Sequence, residues 1–261
     1  MGDYVSNELF HFVGHATPSD NEENYRKLLL VLGSGWVSAP PHRPQWDNES
    51  YGIDHSKRLE SGALIVPSVT CFCDIPVEHL DIHIRKYGPS GVSFRRTFLA
   101  RHGARPVMYI PMNRDDWRSI YGRNLLADME ACYKSFLSLC DEVVTDPGQE
   151  MTSTYAKQTS DPLDAREAVK KLVQKHFFAF IKPFDVDLPS NDSDNYYMER
   201  EWRRLGNVKA SPATVVTVLV ASGFEDRLRK DAPLFGDRVH TPESLRLLSG
   251  HKTGHTTELN D

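Results

Sequence analysis

The N-terminal half of the sequence combines β-like alternation with helical spacing. Apolar residues at alternate positions predict a strand over residues 8–13. Asp20 is a typical helix N-cap with Glu23 as its capping-box partner, and the leucines that follow predict a helix that stops near Gly33. Further patterns predict strands over residues 63–66, 69–73, 91–94 and 107–110, and a helix from Pro76 to Gly88.

The C-terminal half contains two long helical patterns followed by strands. Residues 115–142 and 164–180 carry apolar side chains at helical spacing. Strands are predicted over residues 196–203 and 214–221, and the apolarity of the second indicates a buried central strand. A short helix is predicted over residues 225–230.

The order of these elements determines the predicted fold class. It lacks the regular alternation of strand and helix that a doubly wound sheet requires. We therefore predict an α+β fold in a single domain over residues 1–250, with a mixed or antiparallel central sheet and a helical insertion at about 115–180. Residues 251–261 form a polar C-terminal tail.

Composition excludes several classes of protein. The 261 residues are 39% hydrophobic and 26% charged, and the mean hydropathy is −0.47. No apolar run approaches the roughly 20 residues that span a bilayer, so no membrane association is expected. The four cysteines do not resemble a disulfide framework, and the cytoplasm is the expected compartment.

The net charge of −5 conceals an uneven distribution. Residues 1–84 carry a net charge of −7 and residues 124–261 one of −5, whereas residues 85–123 carry +7, almost all of it from arginine. Arginine binds phosphate in a forked geometry, so this basic segment could bind a nucleotide or nucleic acid. The alternative is that its arginines pair with the acidic flanks within the fold.

The densest group of candidate catalytic residues lies in the predicted strand over residues 196–203. In an extended strand Glu199, Glu201 and Arg203 would project from one face. Two carboxylates there could hold a hydroxyl or stabilise a developing cation. The alternative is a half-exposed strand whose charges pair with neighbouring strands.

Two histidine-containing sets are also candidates. His11 lies in the first predicted strand and could either pack with one hydrogen bond or contact a substrate. Cys71, Cys73, His79 and His83 could in principle hold zinc. The C-x-C spacing is a poor geometry for a tetrahedral ion, however, so we predict neither zinc nor another metal at these residues.

Five motifs, taken together, resemble the AbiGi abortive phage-resistance family. They occur in the family's order and extend over roughly residues 8–205. Their sequences are ELFHF, CFCDIP, H-x3-YG-x2-GVSF, PVMYI and Y-x-EREWR. The resemblance implies bacterial defence against phage, in a family usually described as the antitoxin-like half of a pair.

A more distant resemblance is to the ADP-ribosyltransferases, including DarT-like enzymes that act on DNA. These small α+β proteins place a His or Arg on an early strand, an aromatic residue near the nicotinamide, and a Glu on a late strand. The resemblance implies that NAD is a substrate, that Glu201 is the catalytic carboxylate, and that Glu199 orients the acceptor. It further implies that His11 binds the nicotinamide ribose. The remaining implied NAD contacts are an aromatic, Tyr87 or Tyr109, and an arginine for the pyrophosphate, Arg85 or Arg95.

Three functions remain open at this point. The first is NAD-dependent ADP-ribosyl transfer to a nucleic acid or protein acceptor. The second is a non-catalytic antitoxin or sensor that binds a partner toxin or nucleic acid. The third is a nuclease, for which the carboxylate pair at Glu199 and Glu201 is the only candidate metal-binding cluster.

Overall fold

The computed structural model describes residues 6–38, 51–112, 120–145, 162–189, 192 and 195–253. The strands are, in chain order, β1 (Glu8–Phe12), β2 (Trp36–Val37), β3 (Tyr51–Ile53), β4 (Ile65–Pro67), β5 (Val69–Cys73), β6 (Gly91–Arg95), β7 (Arg105–Pro106), β8 (Met108–Met112), β9 (Ile181–Asp185), β10 (Glu201–Leu205), β11 (Val208–Lys209), β12 (Val215–Leu219) and β13 (Val239–His240). The helices are α1 (Asn21–Ser34), α2 (Asp81–Tyr87), α3 (Arg96–Arg101), α4 (Ile120–Thr145), α5 (Pro162–His176), α6 (Glu225–Asp231) and α7 (Pro242–Thr253).

The chain divides into two compact units. The first unit comprises Met1–Glu49, Ser68–Val107 and Pro189–Asp261, and the second comprises Ser50–Pro67 and Met108–Leu188. The predicted helical insertion is present as α4 and α5, both in the second unit. That residues 1–250 act as a single domain stays a prediction.

A seven-stranded sheet forms the centre of the first unit. Its strand order is β13-β12-β6-β1-β5-β10-β7. Every neighbouring pair is antiparallel except β12 and β13, which are parallel. The predicted α+β class with a mixed or antiparallel central sheet is therefore confirmed, and the sheet is mixed but mostly antiparallel.

Strand register separates the residues of this sheet into two faces. Cys73 lies opposite Phe10 on β1 and opposite Glu201 on β10, and side chains of paired residues project to the same side. We call this side the front face. Because successive residues alternate, His11, which is paired with Val92, projects to the back face.

Each face of the sheet has its own hydrophobic cluster. On the back face Leu9 and Phe94 pack with Tyr25 and Leu28 of α1, all of them fully buried. On the front face the buried cluster is smaller and comprises Phe10, Cys73, Ile75, Leu80 and Leu219. Polar groups can therefore lie beside the front-face cluster, where less apolar surface covers the sheet.

The ends of α1 show how local sequence determines an element. The Asp20 carboxylate accepts a hydrogen bond from the Glu23 N–H at 2.9 Å, which confirms the predicted N-cap. The Glu23 side chain does not complete a capping box, because it pairs with Arg26 instead. The helix ends at Gly35, whose φ of 73° is in the left-handed region that glycine favours, two residues beyond the predicted stop.

A buried glutamate connects two segments of the second unit. Glu130 of α4 accepts the Leu59 N–H at 3.0 Å and pairs with Lys134 at 2.6 Å and with Arg58 at 3.4 Å. Burial alone would raise the pKa of Glu130, but these three partners outweigh it and the pKa lies below its ordinary value. Glu130 thus ties α4 to the 3₁₀ turn at Leu59–Ser61.

Replacing Glu130 by alanine is expected to lower the free energy of unfolding by about 1–3 kcal/mol at pH 7, because the buried Leu59 N–H loses its acceptor. A carboxyl whose pKa is lowered by folding stabilises fully above its unfolded pKa, near 4.3, and stabilises less as pH falls through its folded pKa. The difference between wild type and variant should therefore shrink from pH 7 to about pH 3. Urea unfolding at both pH values measures this difference in the free energy of unfolding. The matched control is Glu167→Ala, which removes a half-exposed ion pair.

Candidate functional site

Glu199 is the centre of a buried polar cluster beside the front face. It ends a 3₁₀ turn, Tyr196–Glu199, and its side chain is 10% exposed. Lys86 Nζ lies 2.7 Å from Glu199 Oε1, and the Tyr87 hydroxyl donates a hydrogen bond to the same oxygen. Lys86 also lies over the Tyr196 ring, 4.4 Å from its centroid. The carboxylate is therefore held by a cation and a hydroxyl from the end of α2.

Glu201 begins β10 two residues later and has a different partner. Its side chain is 6% exposed, and Arg203 Nε lies 2.7 Å from Glu201 Oε1. Both side chains lie on the front face, as the alternation of a strand requires. The prediction that Glu201 and Arg203 project from one strand face is thus confirmed, and the structure adds that the two side chains pair with each other.

The prediction of a continuous strand over residues 196–203 is wrong in its first half. Arg200 has φ 44° and ψ 50°, and it is the one non-glycine residue in the described ranges with a positive φ. This left-handed residue breaks the extended backbone between Glu199 and Glu201. Glu199 therefore does not reach Glu201 by strand alternation; it is positioned by the turn.

The cluster changes the ionisation of its neighbours. Burial, followed by the Glu199 carboxylate, raises the pKa of Tyr87 far above its ordinary range. Burial and the same carboxylate also raise the pKa of the Cys73 thiol. Tyr87 is consequently a hydrogen-bond donor at neutral pH, and Cys73 is a protonated thiol rather than a nucleophile.

His11 does not join this cluster. It projects to the back face, where its ring centroid lies 5.8 Å from that of Phe72. His11 Nδ1 lies 2.8 Å from the Cys71 carbonyl oxygen, a hydrogen bond of the kind expected for a packed histidine. The sheet itself separates His11 from Glu201, because the two side chains lie on opposite faces.

The other predicted NAD-binding residues occupy separate places. Tyr87 lies in the cluster, but Tyr109 belongs to the second unit, where it packs edge-on against Phe184. Arg85 and Arg95 are exposed, and Arg95 lies opposite Glu8 in the sheet. Their predicted role in binding NAD is not tested by these contacts and stays a prediction.

The four residues considered for zinc are differently placed. Cys71 is exposed and Cys73 is buried. His83 is buried with its ring 6.1 Å from that of Tyr87 and 6.3 Å from that of Phe12. In the described part of the chain, no group of three or more His, Cys, Asp or Glu side chains is placed to hold a metal ion.

Comparison with known proteins identifies the family. Residues 46–230, more than half of the chain, match the family model described as "Putative abortive phage resistance protein AbiGi, antitoxin". The chain belongs to the AbiGi family. Membership associates it with abortive phage resistance on the antitoxin side. No match was found among curated proteins or among solved structures.

Other findings bear on its partners and location. No helix within the described ranges is long and apolar enough to cross a membrane. The resemblance of this AbiGi protein to ADP-ribosyltransferases and its expected cytoplasmic location both stay predictions. The antitoxin description points to a toxin as its partner.

Sequence reasoning missed two residues that contact the segment Glu199–Arg200 of this AbiGi protein. Lys86 was visible as part of the basic segment, but its partner Glu199 lies 113 positions away. Asp74 is buried with Oδ2 3.6 Å from Arg200 Nη2, and its Oδ1 has no hydrogen-bond partner among the described residues. Its position in the CFCDIP motif, directly after a strand, was the available signal.

Replacing Lys86 by methionine is expected to lower the free energy of unfolding at pH 8 by at least about 2 kcal/mol, because a buried carboxylate loses its cation. Protonation of Glu199 relieves that penalty, so the loss should be smaller at pH 5 than at pH 8. Denaturant unfolding at the two pH values measures the difference. In the matched control Arg26→Met, which removes an exposed ion pair, the loss should stay below about 0.5 kcal/mol at both. An equal cost of Lys86→Met at pH 5 and pH 8 would contradict this account.

Proposed function

We propose that this AbiGi protein is a non-catalytic antitoxin that acts by binding a cognate toxin protein. Family membership over residues 46–230 is the observation that carries the proposal. An antitoxin of this kind requires a folded binding surface and no reacting groups. This proposal does not involve the nucleic-acid or protein acceptor that ADP-ribosyl transfer would require.

The geometry of the buried cluster supports a structural role. Each of its two glutamates is held by a basic side chain from the same chain, Glu199 by Lys86 and Glu201 by Arg203. Buried carboxylates that are paired and hydrogen-bonded hold segments in place, whereas a loss of one partner leaves a costly buried charge. The cluster thereby joins the end of α2 to the turn before β10.

A second candidate, NAD-dependent ADP-ribosyl transfer, is favoured by one observation. Glu199 and Glu201 are both buried, and Tyr87 experiences the negative charge of both. Such a pair could stabilise an oxocarbenium-like centre. The position of His11 on the back face weighs against this function, since the histidine was expected to bind the same NAD molecule as Glu201.

Co-expression tests the antitoxin proposal. The product of the gene adjacent to this one is the probe: expressed alone, it should arrest bacterial growth, and co-expression of this chain should restore colony formation. The two purified proteins should form a complex that elutes together in size-exclusion chromatography. Growth arrest without rescue, together with separate elution, would overturn the proposal.

An assay with labelled NAD distinguishes a non-catalytic antitoxin from an ADP-ribosyltransferase. Wild type, Glu201→Gln and the exposed-site control Glu60→Gln are incubated with labelled NAD and nucleic acid or infected-cell extract. A non-catalytic antitoxin releases no nicotinamide in any of the three. Release that is lost in Glu201→Gln and retained in Glu60→Gln would favour ADP-ribosyl transfer instead.

A further inference from the structure

The short helix α3 is anchored in the first unit by one side only. Leu99 is fully buried in the back-face cluster, and the half-buried Phe98 packs against that cluster. The Phe98 ring stacks on Phe94, with the ring centroids 6.0 Å apart. Because Phe98 and Leu99 are consecutive, they lie on the same side of α3. The opposite side of the helix is therefore directed to solvent.

The solvent side of α3 carries two arginines with small residues between them. At 100° per residue, its members fall within an arc of about 140°. In order around the helix they are Arg96, which is half-buried, and Ala100, Thr97 and Arg101, which are exposed. We call these four residues, together with the exposed His102 that follows them, the α3 patch.

The positive charge of the α3 patch is not neutralised by carboxylates in the described part of the chain. Residues 94–110 contain no Asp or Glu. Neither Arg96 nor Arg101 forms an ion pair with any of the described residues. Arg227 on α6, by contrast, lies 2.7 Å from Glu22. The α3 patch thus presents two guanidinium groups to solvent.

A further arginine lies beside the end of α3. The Arg204 Nε–H of β10 donates a hydrogen bond to the His102 carbonyl oxygen at 3.2 Å. Since His102 directly follows Arg101, this contact brings the Arg204 guanidinium to the same part of the surface. The basic character of the α3 patch therefore comes from two segments that are 102 positions apart in the chain.

The residue types of the α3 patch favour phosphate over a protein surface as its ligand. Protein–protein interfaces are built around an apolar core, whereas no large apolar side chain is exposed between residues 95 and 105. Contacts to the phosphates of nucleic acids are made largely by basic and hydroxyl side chains, which are present here as Arg96, Thr97 and Arg101. The small side chains of Thr97 and Ala100 leave room for a nucleic-acid backbone between the arginines.

We infer that the α3 patch binds the phosphodiester backbone of a nucleic acid. The forked donors of Arg96 and Arg101 contact phosphate oxygens, and the Thr97 hydroxyl donates to another. Such contacts carry no sequence information directly, so binding is largely independent of base sequence. This inference goes beyond the proposed toxin binding and does not depend on it.

Fluorescence anisotropy of full-length protein with a labelled DNA duplex of random sequence, and with an RNA of the same length, tests the inference. The double variant Arg96→Ala/Arg101→Ala is expected to bind both about tenfold more weakly at low salt, because two phosphate contacts are lost. For the duplex, the slope of log Kd against log salt concentration should fall by about 2, since each contact releases about one counterion. Both probes carry phosphodiester charge, so the tighter of the two identifies the nucleic acid.

Single variants separate the α3 patch from general charge. Arg101→Ala should reduce the salt slope by about 1. The matched control is Lys230→Ala on α6, because Lys230 is also exposed and forms no ion pair with the described residues. It should bind as wild type does. Arg101→Lys keeps the charge but loses the forked geometry, so it should retain most of the salt slope. Far-UV circular dichroism and the thermal unfolding midpoint show that each variant is folded.

Three results would overturn the inference. The first is no binding of either nucleic acid by wild type at low salt, and the second is an equal loss of affinity in Arg101→Ala and Lys230→Ala. The third concerns an acidic protein segment as the ligand, for which polyglutamate is the probe. Polyglutamate bound as tightly as the nucleic acids at equal charge concentration, and weakened equally by Arg101→Ala, would show that the choice of phosphate is wrong.

The adjacent-gene product keeps this test separate from the antitoxin proposal. Its complex with Arg96→Ala/Arg101→Ala should elute in size-exclusion chromatography as the wild-type complex does. Loss of that complex in the double variant would assign the α3 patch to the toxin and overturn the inference. A wild-type chain that binds nucleic acid but not the adjacent-gene product would overturn the antitoxin proposal alone.

Discussion

Alternation of side chains across the seven-stranded sheet decides which chemical groups of this AbiGi protein can meet. Pairing of Phe10 with Cys73, and of Cys73 with Glu201, places those side chains on one face. A shift of one residue along β1 would have placed His11 there instead. The back face buries the larger apolar cluster, and that burial fixes the register. The separation of His11 from Glu201 is therefore a consequence of core packing.

Burial of two carboxylates beside the front face imposes the second constraint. A buried charge requires a partner, and the chain supplies Lys86 and Tyr87 for Glu199 and Arg203 for Glu201. The left-handed backbone at Arg200 allows the two glutamates to occupy different environments although they are only two residues apart. Both buried carboxylates thus have ion-pair partners within the same chain. This arrangement is consistent with the proposal that the protein acts by binding a partner at its surface.

Helix α4 of the second unit carries exposed apolar side chains, whereas the cluster around Glu199 is polar and buried. Helix α4 buries Leu126 and Glu130, whereas Tyr121, Leu125 and Leu139 on the adjoining part of its circumference are exposed. The two sets form one wide apolar face, of which only a part is packed.

The sequence by itself determined the features that depend on neighbouring residues. The Asp20 cap, the two long helices, the α+β class and the shared face of Glu201 and Arg203 all follow from spacings of a few positions. Tertiary structure alone decided the partners of Glu199, the turn at Arg200 and the face on which His11 lies. Strand register and the contact between Lys86 and Glu199 join segments far apart in the chain, and no local pattern encodes which distant segments pack together.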